Sequence, residues 1–478
     1  MDTDKEKFYI TTPIYYVNDK PHIGSAYTTI AADVLARLHR QLGHDTHFLV
    51  GTAEHGSKIA ESAEKAGKEF QAFVDENSAK FSFAWDQLGI APDDFIRTTE
   101  KRHTDAVKLF FLKLKDSGKL YEADYEGLYC VGCEAFKKES ELVNGICPLH
   151  NKKPETVKER NWFFKLSDYQ DTLAERIKEG DLVIKPESRK NEVLSFIQQG
   201  LEDIAISRRT AKFALPLPWD ESQTIYVWLD ELFNYCSAIG YGVDKENFDR
   251  FWPVDLQLMG KDIIKFHCVI WPALLLAIGE QPPKQIFAHG FFTVDGQKIS
   301  KTIGNVIDPN EWVAKYGADA VRYFVLREVP FGQDGDISEE KLKSRYNSDL
   351  ADGLGNLFSR VTNMVEKYFE GDLGDIIASP KDLSVATQAF LNLYFSEGLA
   401  KVWEEIAWAN QLIDKSKPWE LFKTEPEKVK ELLVNLTALL YDIASKLAPV
   451  MPETANTMRA VLESEKIVKP EPLFAKIE

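Results

Sequence analysis

Apolar positions recur at different periods along this chain, and each period predicts a different element. Phe8 to Ile14 is rich in β-branched and aromatic residues and predicts a strand. Tyr27, Ile30, Ala31, Val34, Leu35 and Leu38 then recur at helical spacing. Phe48-Leu49-Val50 predicts a second strand, ending in Gly51. A strand–helix–strand unit implies parallel pairing through a right-handed crossover. Ligands of such sheets sit beyond the carboxyl ends of the strands. His22 and Thr52 to His55 both fall there. Tyr226-Val227-Trp228 and Gln257-Leu258-Met259 read as returning strands. The last third reads as helical. Leu399, Val402, Trp403, Ile406 and Ile413 share one face, and Val429, Leu432, Leu433, Leu436, Leu440, Ile443 and Leu447 form another stripe. A connection runs from Gly371 to Pro380, and Pro449 and Pro452 are read as ending the last long helix. There is no internal repeat.

Residues 118–215 interrupt the α/β pattern. They carry short strand-like runs and a cysteine cluster, and Leu215-Pro216-Leu217-Pro218 is a stiff boundary where the first pattern resumes. The expected organisation is therefore α/β. Residues 1–117 and 216–290 form two halves of a Rossmann-like parallel-sheet domain. Residues 118–215 are an inserted domain, 291–350 a lysine-bearing segment, and 351–478 an α-helical bundle. A length of 478 residues is consistent with about two to four domains. No Gly-x-Gly-x-x-Gly follows the first strand, which argues against a dinucleotide cofactor.

Composition changes this picture little. Five cysteines do not make a disulfide scaffold in a chain of this length. Met1-Asp2-Thr3-Asp4 lacks the plan of a signal peptide, and the longest apolar run, Cys268 to Ile278, is too short to cross a bilayer. A soluble cytoplasmic protein with no membrane partner is expected. The net charge of -17 argues against non-specific nucleic-acid affinity. It leaves room for local basic patches such as Arg208-Arg209-Thr210-Ala211-Lys212 and Lys341-Leu342-Lys343-Ser344-Arg345, each also readable as plain solvated surface.

Three constellations carry chemistry. His22-Ile23-Gly24-Ser25 stands where a strand hands over to a helix, so an imidazole and a turn of backbone N–H groups can face a phosphate. Lys298-Ile299-Ser300-Lys301-Thr302 lies between Gly296 and Gly304, a mobile basic loop suited to the other side of a triphosphate. Cys130-x2-Cys133 and Cys147-x2-His150 are two tight ligand pairs with the spacing of a tetrahedral zinc site. All four positions are protein ligands, so the metal is structural. Cys236 and Cys268 stand apart and read as core.

The order of His22-Ile23-Gly24 and the lysine loop resembles the class I aminoacyl-tRNA synthetases. Thr11-Thr12-Pro13-Ile14-Tyr15-Tyr16-Val17-Asn18, Tyr226 to Asp230, Gly260-Lys261-Asp262-Ile263 and Lys417-Pro418-Trp419-Glu420-Leu421-Phe422 narrow the resemblance to the methionyl-tRNA synthetase family. It implies ATP-dependent activation of methionine and transfer to tRNA(Met), with ATP bound as its Mg2+ complex and one structural Zn2+. His22, Ser25, Lys298 and Lys301 would be catalytic, with Lys301 the important lysine. His22, Gly24, Gly260, Asp262 and Lys301 would bind ATP, Asp262 at the ribose. Asp262 alone is equally readable as a helix N-cap. Pro13, Ile14, Tyr16, Trp228, Tyr235, Ile263 and His267 would line the methionine pocket, although plain core packing explains aromatic residues and a histidine in such runs as well. Asn356, Arg360 and Trp419 would read the anticodon, with helix-start packing as the alternative for Trp419.

Three positions depart from the family pattern. Ser25 stands where a second histidine is usual. Ala53, in Thr52-Ala53-Glu54-His55-Gly56, stands where an aspartate normally holds the substrate ammonium. Glu231 replaces a small residue of the pocket wall. Glu231 or Glu54 is a possible substitute anchor. The alternatives to an ordinary synthetase are a variant with changed substrate or impaired activity, and a tRNA-binding protein without ligase activity. No further domain is expected after the helices, and the chain is expected to be a monomer.

Overall fold

The computed structural model describes residues 5–130, 135–137, 139–148, 151–209, 211–294, 296–299, 304–374 and 384–478. Two compact units alternate along the sequence. The first gathers Met1–Pro21, Gly43–Phe83 and Pro92–His289; the second gathers His22–Leu42, Ala84–Ala91 and Gly290–Glu478.

The first unit is built on a seven-stranded sheet. Lys7–Thr11 (β1) pairs in parallel with Asp45–Ala53 (β3), from Lys7↔Asp45 to Thr11↔Leu49. Tyr15–Tyr16 (β2) and Asp94–Arg97 (β4) both pair with β3. Across β1 lie Leu256–Gly260 (β6), Gln285–His289 (β7) and, at the edge, Val183–Lys185 (β5). Every ladder is parallel, and Tyr9, Ile10, Phe48, Leu49, Val50, Leu258 and Ile286 are sealed from solvent, as parallel sheets require. β1 sits between β3 and β6, so the sheet order reverses at β1. The crevice beyond such a reversal is where α/β sheets bind ligands. Pro13 and Ile14 leave β1 there, and Lys261 and Asp262 leave β6 there. At Gly51 a Cβ would meet Ile96 O at 2.2 Å and Ile14 Cγ2 at 3.0 Å, so only glycine lets these segments approach.

The segment expected as an insertion folds around a long antiparallel hairpin, Leu120–Cys130 with Glu155–Phe164, in register from Leu120↔Phe164 to Tyr129↔Glu155. The same segment supplies β5, in register Val183↔Gln285, to the edge of the main sheet. A three-residue strand carries too little pattern to announce that partner.

Tyr226-Val227-Trp228 is not a returning strand. Asp220–Ile225 is extended, but it pairs antiparallel with Ser207–Arg208 and Pro216–Leu217, outside the main sheet. The chain then coils into a short helix, as given next. A run of aromatic and β-branched residues favours extended backbone only weakly, and packing decides.

Four helices carry or adjoin candidate residues. They are Ile23–Gln41 (α1), Lys101–Asp116 (α2), Val227–Leu232 (α3) and Asn234–Ser237 (α4). α1 belongs to the second unit, the other three to the first. The second unit continues with Ala318–Glu328 (α5), Asn356–Phe369 (α6), Phe395–Ser416 (α7), Pro426–Leu447 (α8) and Pro452–Leu462 (α9). Leu399, Val402, Ile406 and Ile413 form the buried face of α7, and Val429, Leu433, Leu436, Leu440, Ile443 and Leu447 that of α8. α8 ends at Leu447, just before Pro449, and Pro452 opens the further helix α9; a proline is tolerated in a first turn because that N–H has no helical partner. One fully buried ion pair crosses this unit. Arg322 of α5 donates to Asp33 of α1 at 2.6 Å, and to the carbonyls of Val450 at 2.7 Å and Pro449 at 2.8 Å. Among the described residues no helix is long and apolar enough to cross a membrane.

Candidate active site

In the first unit the sheet ends and α3 bring together an aromatic cluster. Trp228 stacks on Phe266 at 4.1 Å between centroids and 10° between planes, and meets Tyr16 edge-on at 6.2 Å. Ile14, Trp228, Ile263 and Phe266 pack on the same core cluster that contains Tyr235. Pro13 is half-buried at the exit of β1. The sequence reading missed Phe266; its signal was the i, i+3 spacing from Ile263.

His267 is buried, and burial pushes its pKa down to about 4. Its Nδ1 lies 3.2 Å from the Ile263 carbonyl and its Nε2 2.8 Å from the Tyr235 hydroxyl. A carbonyl only accepts, so Nδ1 carries the proton and Nε2 accepts from Tyr235. The histidine is a neutral, fixed polar wall. The Tyr235 hydroxyl is itself pushed well up, chiefly by burial, with the Glu231 charge adding to the shift. Glu231 is buried on α3, four residues before Tyr235.

The two proposed substitutes for the missing aspartate differ sharply. Ala53 is fully buried at the end of β3. Its neighbour Glu54 is buried too, but Arg97 engages both carboxylate oxygens, at 2.7 and 3.0 Å, and Thr52 and Thr99 also donate to them. Glu54 is therefore engaged by Arg97. Glu231 lies buried on the short helix α3.

Asp262 follows β6 in the one-turn segment Lys261–Ile263 and is exposed; Gly260, not Asp262, holds the N-cap position.

In the second unit His22 is the N-cap of α1. Its Nδ1 accepts from the N–H groups of Gly24 at 3.0 Å and Ser25 at 3.3 Å. An accepting Nδ1 puts the ring proton on Nε2, a donor suited to an anion. A Cβ at residue 24 would lie 3.0 Å from that imidazole, so Gly24 lets the ring fold back over the helix start. Ser25 closes a capping box. Its Oγ accepts from His22 N–H at 3.1 Å and donates to His22 O at 2.7 Å. Its short side chain thus engages the helix end. Lys298 ends the two-residue strand Gln297–Lys298, but its side chain, and all of Ser300, Lys301 and Thr302, lie outside the described residues.

Asn356, Arg360, Trp403, Asn410 and Asp414 line a groove of about 360 Å³ between helices of the second unit. Asn410 Oδ1 accepts from Asn356 at 3.3 Å, and Arg360 pairs with Asp414 at 2.5 Å. Trp419 is outside this lining, in the short helix Pro418–Leu421, and is 43% exposed.

Cys130 ends its strand and Cys147 bridges to Lys152; both are buried and neither is in a disulfide. Cys133 and His150 lie outside the described residues, so no group of three metal-binding side chains occurs among the described ones. Cys236 and Cys268 are core residues whose thiols burial pushes up.

Comparison with known proteins agrees with this geometry. A model of the class I (M) tRNA synthetases matches residues 8–153 and 137–362. A methionine–tRNA ligase of Thermotoga maritima is 44% identical over 99% of this chain and 80% of its own length. One from Rickettsia felis is 44% identical over 98% of this chain and 94% of its own. The structure of Mycobacterium tuberculosis methionyl-tRNA synthetase bound to methionyl-adenylate is 35% identical, with a TM-score of 0.91 over 98% of this chain and 100% of that one. The apo form of the same enzyme gives 0.84. On its sequence and its fold, this chain belongs to the class I methionyl-tRNA synthetase family.

Proposed function

We propose that this chain joins methionine to tRNA(Met) through a methionyl-adenylate, with Glu231 in place of the usual ammonium anchor. The methionine carboxylate attacks the α-phosphorus of ATP and pyrophosphate leaves. The terminal ribose hydroxyl of the tRNA then attacks the carbonyl and AMP leaves. Both steps depend on positioning and on stabilising charge at phosphate.

The observation that carries this reading is the fixed His267–Tyr235 pair beside the stacked Trp228 and Phe266. An unbranched thioether fits an aromatic slot with few polar groups. Pro13, Ile14, Tyr16 and Ile263 complete the slot. Asp262, with Gly260 before it, is exposed where a ribose can reach its carboxylate. His22 offers Nε2–H to a phosphate, Gly24 shapes that turn, and Lys298 and Lys301 supply positive charge for the leaving pyrophosphate. ATP arrives with Mg2+, which neutralises part of the phosphate charge.

Cys130, Cys133, Cys147 and His150 would hold a structural zinc; two buried cysteines outside any disulfide fit that donor set. The metal would order the inserted segment and take no part in catalysis. Asn356 and Arg360 in the helical groove, with the exposed Trp419, form the anticodon reader, because aromatic faces stack on unpaired bases and amides reach their edges. A reducing cytoplasm suits such a site.

A second reading, an altered relative with changed substrate or impaired activity, rests on the departures at Ser25, Ala53 and Glu231. Charging of tRNA(Met) decides between them. The proposal requires methionine to be attached, and attachment to fail when the anticodon is replaced. Attachment of another amino acid in preference to methionine selects the second reading.

A further inference from the structure

The first unit buries a second polar set that contacts no proposed substrate. Asp230 of α3 is 1% exposed. Its Oδ2 lies 2.7 Å from His55 Nδ1 and its Oδ1 2.9 Å from His103 Nε2. The other ring nitrogen of His103 lies 2.8 Å from Ser237 Oγ. One carboxylate thus joins the exit of β3, where His55 sits, to α2, α3 and, through Ser237, α4. Burying such groups is costly, and well-packed apolar residues hold segments together equally well or better. Stability alone does not account for the set.

Its position does. Asp230 lies two residues after Trp228 and one before Glu231 on α3, which has only six residues. A helix this short does not hold its own orientation. Each residue step turns a helix by about 100°, so a small rotation of α3 lifts Trp228 off Phe266 and moves the Glu231 carboxylate. Gripping Asp230 from two sides, one of them two residues beyond Ala53, prevents that rotation. We infer that the His55–Asp230–His103 bridge is a positioning device that sets the affinity for the amino acid by fixing Trp228 and Glu231 against the end of β3. This rests on the reading that Trp228 and Glu231 face methionine.

The grip also responds to pH. Burial lowers the His55 pKa, but the Asp230 charge and hydrogen bond outweigh it, Glu54 adds to them, and the net shift is upward. The groups facing this imidazole are Asp230 and Glu54. Glu54 is paired with Arg97, His103 lies across Asp230, and Glu231 follows on α3. A raised folded pKa means that the charged bridge is complete below the ordinary imidazole value and weakens as pH rises through the raised one. A neutral imidazole still donates Nδ1–H, so the hold loosens rather than breaks.

The test is methionine-dependent ATP–pyrophosphate exchange between pH 6 and 9 for the parent, Asp230→Asn, His103→Gln and His55→Gln, with thermal melts of each. Loss of one charge-assisted grip raises the methionine KM by about 10–100-fold in Asp230→Asn. The ATP KM stays within about twofold of the parent. The parent's methionine KM climbs on the alkaline side, and His55→Gln flattens that climb. Parallel changes in both KM values, kcat and folded fraction would reduce the bridge to a structural role and overturn the inference. Should Asp230→Asn not fold, His55→Gln decides: it keeps the Asp230–His103 contact, and an unchanged pH profile overturns the inference. Trp228→Ala separates the underlying reading. A raised methionine KM there, with none in Asp230→Asn, overturns the bridge alone. An unchanged KM in Trp228→Ala overturns the pocket reading and the bridge with it.

Discussion

Asp33 and Asp230 are both sealed from solvent, one in each compact unit, and they are held by opposite kinds of partner. Asp33 takes Arg322 at 2.6 Å and Arg37 at 2.7 Å on one oxygen and the Ala91 N–H at 2.9 Å on the other. Asp230 takes two histidines. A guanidinium keeps its charge across the working pH range of proteins, while an imidazole changes charge between about pH 5 and 8. The arginine pair ties the helix that begins at His22 to the helical region at Pro449 and Val450, as a permanent weld. The histidine pair joins the exit of β3 to α2 and α3 and can be graded by pH. On the proposed roles, the ion pair in the unit that carries His22 is built to stay fixed, and the bridge in the unit that carries Trp228 to be tuned.

The largest expected effect comes from breaking the weld. Arg322→Met leaves Asp33 buried without its main counter-charge and destabilises the second unit by about 3–5 kcal/mol, read by urea unfolding. The loss is the same at pH 6 and pH 9. Adding Asp33→Leu recovers much of it, because two apolar residues leave no buried charge. A variant as stable as the parent would show that the ion pair ties nothing together.

Next in size is the lysine loop of the same unit. Lys301→Ala slows adenylate formation by about 100–1000-fold, since a lost transition-state contact of this kind costs roughly 2.7–4 kcal/mol. Methionine binding, assigned by the proposal to residues of the other unit, changes little. Equal losses in binding and rate would erase the division of labour.

A smaller effect is expected at the departures in the first unit. Glu231→Ala weakens methionine binding by about 10–100-fold, the value of one charge-assisted hydrogen bond. Ala53→Asp gives no comparable gain while Glu231 is present, because two carboxylates near one site repel. Calorimetric titration of methionine measures both. Tighter binding in Ala53→Asp together with no effect of Glu231→Ala would make Glu231 a bystander.

The smallest effect is the pH dependence of stability. Burial raises the Asp230 pKa, but His55 and His103 outweigh it and hold the carboxyl well below the usual range. Its contribution is present above the ordinary carboxylate value and is lost as pH falls through the depressed one. That of His55 is present below the ordinary imidazole value and is lost as pH rises through the raised one. Both act together between about pH 4 and 6.5. The melting temperature of the parent should therefore exceed that of Asp230→Asn most in this window and by less toward pH 9. A constant difference would remove the histidine from the grip.

The sequence disclosed local patterns and left tertiary ones hidden. The stripe from Tyr27 to Leu38 predicted α1, and those of α7 and α8 were equally plain, because a buried helical face writes its period into the chain. Resemblance singles out Trp228, Tyr235 and His267, and the structure pairs Tyr235 with His267 and stacks Trp228 on Phe266. Tyr226 to Trp228 has residue types that suit either backbone, so its pattern does not distinguish strand from helix. The distance of three between His22 and Ser25 is the local signal for a capping box. The Asp230 bridge spans 175 residues to His55 and 127 to His103, and no local pattern marks such a pairing. The same holds for Glu54, whose clamp by Arg97 appears only when β3 and β4 lie side by side.

The measurement that bears most directly on the whole account is ATP–pyrophosphate exchange by the unaltered chain, with methionine set against leucine, isoleucine and glutamine. The account predicts exchange that depends on methionine, is saturable, and exceeds that with each other amino acid by at least about tenfold, the scale on which an apolar pocket separates similar side chains. No exchange with methionine from a folded chain that still binds tRNA(Met) would contradict it.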